Sequence, residues 1–314
     1  MELGLNFLLT AVGIAMLCYG GNWLVNGGVL LAKKFGISNM VIGMTVVAYG
    51  TSTPELAASI AATGEHGGII LGNIIGSNIA NIGMVIGIAA IMVPLAVKKL
   101  TLKKEIPIML AFSLLLVGLS LDGEVSQYDG IVLVILLIAF TIYTYRDSKN
   151  TPLETNEEIV SVKTTKNAYL RSILLLGVGI ALLFGGANLT VDNAVIIAEN
   201  FGVSERIIGI TVIAIGTSLP ELITSIAAIK KGHTDIGVGN IIGSNIYNIL
   251  MIMGVATVIS GISISTGVFV DYGIMIAFSM ALFVAIKSGV IDRKIGIGLV
   301  IAYVAYLITS FFNP

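Results

Sequence analysis

Charge is what this chain of 314 residues has least of: Lys, Arg, Asp and Glu together make up 11% of it, against about 25% in an ordinary soluble domain. With 56% hydrophobic residues and a mean hydropathy of +1.00, a soluble globular fold is excluded. The chain reads as a polytopic membrane protein. A single cysteine, Cys18, excludes an internal disulfide and a cysteine metal site, and reads as a small core residue. The two histidines, His66 and His233, fall in connections and read as solvated, so no soft-metal cluster is present. No basic patch suited to nucleic acid is visible, and a net charge of −1 names no partner. Glu2, with no basic residue before the first apolar run, marks that run as a retained span rather than a cleaved leader.

What is present is a series of apolar segments. Spans need about 20 apolar residues each, and hydropathy with Gly, Pro and charge punctuation predicts ten, at 4–31, 40–63, 68–93, 106–121, 129–145, 170–198, 206–229, 236–259, 268–286 and 295–312. The one sizeable polar connection, carrying Glu154, Glu157, Glu158, Lys163 and Lys166, reads as a flexible linker at 147–168. It separates residues 1–146 from 169–314.

Those two halves are related. Aligning Ile37–Ser59 with Val203–Ser225, 166 residues on, gives 13 identities in 23. The stretch Gly72–Ile82 (GNIIGSNIANI) matches Gly239–Ile249 (GNIIGSNIYNI) except at Ala80 and Tyr247. Five spans per half is an odd number, so the second copy would cross the membrane in the opposite sense. The expected fold is therefore all-α, with ten transmembrane helices as two inverted five-helix repeats. Alternating the connections puts 16 of the 17 basic residues on one side, only Arg206 falling opposite. The positive-inside rule makes that side cytoplasmic, with the linker there and both termini outside a cell membrane.

The segment GTSTPEL, Gly50 to Leu56, places Glu55 behind Pro54 inside an apolar span, and GTSLPEL, Gly216 to Leu222, does the same with Glu221 behind Pro220. A charge near the bilayer centre costs at least ~2.5 kcal/mol and marks an ion or proton pathway. Each proline also frees the carbonyl four residues back, here that of Gly50 in the first copy. Two carboxylates would neutralise one divalent cation. Hard cations such as Ca²⁺ take six to eight oxygens, and the hydroxyls of Thr51, Ser52, Thr217 and Ser218 lie within a turn of the glutamates. In the following spans Asn73, Ser77 and Asn81 share one helix face, as do Asn240, Ser244 and Asn248. Taken singly, a buried glutamate could be a protonated interhelical donor, the Asn and Ser stripes interhelical glue, and the glycines packing aids. The duplication of the whole set favours a cation site. Asp192 aligns with Asn26 and reads as an entrance or structural residue, and the eleven methionines as packing.

At these motifs the chain resembles the cation/Ca²⁺ exchanger superfamily, in its prokaryotic sodium/calcium exchanger branch, over its whole length. GTSTPEL with GNIIGSNIANI is similar to that family's first alpha repeat, and GTSLPEL with GNIIGSNIYNI to its second. The resemblance implies a Na⁺/Ca²⁺ antiporter, not an enzyme, with four cation sites between the halves and no cofactor beyond the transported ions. It implies carboxylate ligands from Glu55 and Glu221 and carbonyl ligands from Thr51 and Thr217. It further implies sodium contacts from Ala48, Ala214, Ser52, Ser218, Ser77 and Ser244, with Asn81 lining the centre. The archaeal and potassium-dependent patterns carry an aspartate where this chain has Asn248. The site charge here would be −2, which Ca²⁺ cancels and three Na⁺ would exceed by one.

Alternating access would follow, with the first and sixth spans as moving parts and Gly20-Gly21 and Gly185-Gly186 as bends. A desolvated glutamate can also carry protons, which makes an H⁺/Ca²⁺ antiporter the alternative, although that branch has a different signature from GTSxPE. A cation channel would use the same oxygens, but a two-fold internal repeat suits a ring of pore-lining subunits poorly. No paired-aspartate or Ser/His motif of an intramembrane protease lies in the spans. Partners are thus Na⁺, Ca²⁺ and the lipid bilayer, with no obligate protein partner evident.

Overall fold

The computed structural model describes residues 2–61, 63–64, 67–97, 101, 103–150, 166–202, 214–286 and 289–312. Residues 151–165 of the linker, Glu65, His66, Lys98, Lys99, Arg206 and Lys287 lie outside the described residues.

Helices dominate. In chain order they are α1 (Glu2–Phe35), α2 (Asn39–Thr51), α3 (Thr53–Ala61), α4 (Gly67–Met92), α5 (Glu105–Leu119), α6 (Gln127–Asn150), α7 (Lys166–Asn200), α8 (Ala214–Thr217), α9 (Leu219–Lys230), α10 (Thr234–Ile259), α11 (Val268–Ile286) and α12 (Arg293–Phe312). Among the described residues, seven are long and apolar enough to cross a membrane: parts of α1, α4, α6, α7, α10, α11 and α12. The ten expected crossings therefore do not all appear as uninterrupted spans. Helix α5 is short, with 15 residues, and the two segments that carry the Pro-Glu pairs are broken. The breaks fall at Ser52 (φ −86°, ψ 4°) and Ser218 (φ −91°, ψ 3°). A proline two residues later cannot donate to the chain behind it, yet its fixed φ suits the first turn of a new helix. Each broken segment thus restarts as α3 or α9, with its glutamate in the first turn.

Among the described residues, four two-residue strands follow the same relation between the halves. Strands β1 (Leu95–Ala96) and β3 (Ile262–Ser263) follow α4 and α10, while β2 (Glu124–Val125) and β4 (Val290–Ile291) precede α6 and α12. Pairing is antiparallel and always between halves: β1 with β4, Leu95 opposite Ile291, and β2 with β3, Glu124 opposite Ser263.

Helices α4 and α10 are the buried centre. Of the most apolar window of each, 83% and 89% respectively is inside the protein, whereas only 17% of that of α1 is. The main apolar core surrounds them, with Ile74, Ile79, Ile86, Ile241, Ile246 and Ile252 fully or almost fully inaccessible. A second, smaller core joins α1, α2, α7 and α9 through Leu17, Leu24, Val47, Leu183 and Ala228.

One expectation fails here. Cys18 is exposed on α1 rather than buried. Both α1 and α7 run unbroken through their glycine pairs. The two helices approach closely there. A Cβ on Gly20 would lie 2.9 Å from the Gly179 carbonyl oxygen, and one on Gly186 would lie 2.8 Å from that of Gly13. Glycine removes the steric limit on interhelical distance.

Candidate cation site

The breaks at Ser52 and Ser218 aim the N-terminal ends of α3 and α9 into the interior. An exposed row of backbone N–H groups makes such an end favourable for negative charge. Glu55 and Glu221 sit in these first turns, and their two carboxyl groups are close neighbours. Both residues are buried, at 2% and 1% exposure. The two motifs, 166 residues apart in sequence, therefore meet.

Hydroxyl groups surround the pair. Ser52 Oγ donates to Glu221 Oε1 at 3.3 Å, and Ser244 Oγ donates to the same oxygen at 3.4 Å. Thr51 Oγ1 lies 3.1 Å from Asn240 Oδ1, 3.4 Å from Ser244 Oγ and 3.2 Å from the Ala48 carbonyl. Asn240 is held in turn by Ser225, its Nδ2 donating to Ser225 Oγ at 2.9 Å. In the other half Asn73 Nδ2 donates to Ser59 Oγ at 3.1 Å and to the Glu55 carbonyl at 3.5 Å.

Asn81 and Asn248 open the two π-helical turns in α4 and α10, Asn81–Ile86 and Asn248–Met253. Such turns interrupt the regular ladder and are frequent at functional sites. The turn in α4 packs on α9, and the turn in α10 packs on α3. Each asparagine is thereby set beside the half-helix of the opposite glutamate.

Among the described residues, eight buried side-chain oxygens have no hydrogen-bond partner, and five of them belong to the repeated motifs: Glu55 Oε2, Glu221 Oε2, Asn81 Oδ1, Asn248 Oδ1 and Ser218 Oγ, the others being Glu105 Oε2, Thr190 Oγ1 and Thr224 Oγ1. Buried polar atoms are rarely left unpaired. Five at the meeting point of two repeated motifs form a donor set of carboxylate, amide and hydroxyl oxygens, which suits a hard cation.

Of the residues singled out in the sequence, Glu55, Glu221, Thr51, Ser52 and Ser244 join in one connected group. Ser218, Asn81 and Asn248 supply orphaned oxygens. Ala48 and Ser77 are buried, and Thr217 closes α8 and is half-buried. Ala214 is placed only by its backbone, at the start of α8. Asp192 is exposed on α7, while Asn26 Oδ1 accepts from Lys231 Nζ at 2.9 Å. His233 is half-buried in the turn before α10. Sequence reasoning passed over Asn78 and Asn245, which lie between the halves. The signal was the first asparagine of GSNxxN in both motifs, which falls off the four-residue stripe.

Together the fold and this oxygen cluster define a multi-pass membrane protein built around a buried acidic centre, the class of ion-coupled carriers. The profile of the family described as sodium/calcium exchanger protein matches residues 5–146 and again residues 171–312. The chain belongs to that family. It is 35% identical to inner membrane protein YrbG of Escherichia coli over 95% of this chain and 94% of that one. It is 32% identical to sodium/calcium exchanger MaX1 of Methanosarcina acetivorans over 98% and 99% of the two chains. The solved structure of the sodium-calcium exchanger NCX_Mj, soaked with zero Na⁺ and Ca²⁺, superposes with a TM-score of 0.84 at 35% identity, covering 98% of this chain and 99% of that one.

Proposed function

We propose that the chain is a secondary antiporter exchanging Na⁺ for Ca²⁺ across the cell membrane by alternating access. The observation that carries this reading is the pair of buried, neighbouring carboxyl groups of Glu55 and Glu221, joined across the halves through Ser52 and each with one oxygen left unpaired. Two neighbouring carboxylates in a dry interior repel each other, and a divalent cation cancels both charges at once.

In this reading Ca²⁺ binds Glu55, Glu221 and the carbonyls of Thr51 and Thr217. Sodium ions take the same carboxylates together with Ser52, Ser218, Ser77, Ser244, Ala48 and Ala214, and Asn81 and Asn248 line the centre. Sharing the carboxylates makes the two cargoes mutually exclusive, which couples their movements. Ten crossings, as inverted repeats spanning residues 1–146 and 169–314, are supported by the family profile matching each half and by the β1–β4 and β2–β3 pairings between them. The one-sided distribution of basic residues favours a cytoplasmic linker with both termini outside. Helices α1 and α7 form the moving unit: they pack on each other through Gly13, Gly20, Gly179 and Gly186 and share a core that takes nothing from α4 and only Ile236 from α10.

The same pair favours one other reading, because two neighbouring carboxyl groups can share a proton in place of a metal ion. H⁺/Ca²⁺ antiport is therefore the competitor. Purified protein in liposomes, loaded with ⁴⁵Ca²⁺ outside, separates the two. An imposed sodium gradient is expected to drive uptake and an imposed pH gradient is not. Uptake that follows the pH gradient and ignores sodium would overturn the assignment.

A further inference from the structure

Between the two halves, four asparagines form a connected set of hydrogen bonds. Asn78 Nδ2 donates to the Asn245 carbonyl at 3.4 Å, and Asn245 Nδ2 donates to the Asn78 carbonyl at 3.4 Å. Each of those amide nitrogens also faces a methionine sulfur at 3.6 Å, Met275 for Asn78 and Met109 for Asn245. Asn248 Nδ2 donates to Asn78 Oδ1 at 3.0 Å, and Asn81 Nδ2 donates to Asn245 Oδ1 at 3.0 Å. All four side chains are buried, at 1% exposure each.

Donor and acceptor chemistry leaves these amides one orientation. A backbone carbonyl can only accept, and a thioether sulfur is at most a weak acceptor. Asn78 must therefore turn its NH₂ group toward Asn245 and Met275, which leaves its Oδ1 facing Asn248. That oxygen needs a donor, so Asn248 must present its own NH₂ there and send its Oδ1 the opposite way. The same chain runs from Asn245 to Asn81. The two oxygens so directed, Asn81 Oδ1 and Asn248 Oδ1, are among those with no protein partner.

We infer that Asn78 and Asn245 are positioning residues: they fix the amides of Asn248 and Asn81 with oxygen, not nitrogen, toward the cation centre, one from each half. A flipped amide would point an NH₂ group at the cation and oppose binding. The inference rests on the cation-site reading above and deepens it by naming what holds two of its oxygens in place.

Equilibrium ⁴⁵Ca²⁺ binding to the purified full chain in sodium-free detergent buffer tests it without requiring transport. Asn78→Ala is expected to weaken Ca²⁺ binding about tenfold, the order expected for one lost buried hydrogen bond. In an Asn248→Ala background the same substitution should change affinity less than about twofold, because the amide it orients is gone. Asn245→Ala should show the same dependence on Asn81. Multiplicative effects in both pairs would overturn the inference while leaving the cation site standing; unsubstituted protein that binds no Ca²⁺ would overturn both. If Asn78→Ala and Asn245→Ala are aggregated while Asn81→Ala and Asn248→Ala are monodisperse, the asparagines serve packing alone, and the positioning role is refuted.

Discussion

Ser52 Oγ donates to Glu221 Oε1 across 3.3 Å, joining the break in one motif to the carboxylate of the other. The bond crosses between halves, so it exists only when the two motifs are assembled. A hydrogen bond to a charged group is worth about 1.5–3 kcal/mol, and Ser52→Ala should raise the apparent KM for Ca²⁺ in sodium-driven uptake by roughly tenfold or more. Ser218 Oγ has no protein partner, so weakened binding in Ser218→Ala would report a lost cation contact and not a lost bond within the protein.

Glu55→Gln and Glu221→Gln each remove one charge while preserving shape. Both variants should lose sodium-driven ⁴⁵Ca²⁺ uptake and remain monodisperse in detergent. Saturating Ca²⁺ should stabilise the unsubstituted protein by about 2.7 kcal/mol at a hundred times Kd, seen as a raised melting temperature that chelation reverses. Neither glutamine variant should show that shift. A variant that retains full uptake would refute the site.

Gly20 meets the backbone of α7 so closely that a side chain there must push the helices apart. Gly20→Leu should cost about 1–3 kcal/mol through overpacking and lower the melting temperature. Cys18, exposed on the same helix, should tolerate Cys18→Ser with unchanged melting and uptake, and the same pair of measurements checks both substitutions.

At the ends of α5 and α6, Lys104 Nζ donates to both carboxylate oxygens of Asp147, at 2.7 and 2.9 Å. The hydrogen bond to Asp147 holds the ammonium group above its ordinary value of 10.5. A cation whose value is raised on folding adds stability that is complete below the unfolded value and vanishes as pH rises through the folded one. Both side chains are about a third exposed, at 35% and 29%, so the gain is at most about 1 kcal/mol. Lys104→Met should therefore melt slightly lower at pH 8, and the difference should close once the pH exceeds the raised Lys104 value. A difference that persisted well above that pH would assign it to packing of the lysine stem.

Some of this was legible before any coordinates. Glu55 behind Pro54 and Glu221 behind Pro220 announce buried charge at a helix break, because proline and a carboxylate both violate the rules of an apolar span. Their neighbours Ser52 and Ser244 were found by spacing alone. Cys18 was misread for one reason. Within a membrane, hydropathy cannot separate a residue that faces lipid from one that faces protein, since both surroundings are apolar. The π turns beginning at Asn81 and Asn248 were also hidden, because the extra residue in a turn leaves no mark on a four-residue stripe.

By itself, then, the sequence determined the membrane setting, the duplicated unit and the identity of the oxygens, since composition and repetition act along the chain. Only the tertiary structure decided which oxygens meet, which remain unpaired and how each amide is turned. Those outcomes depend on distances between segments more than 160 residues apart, and no local preference of the chain encodes such a distance.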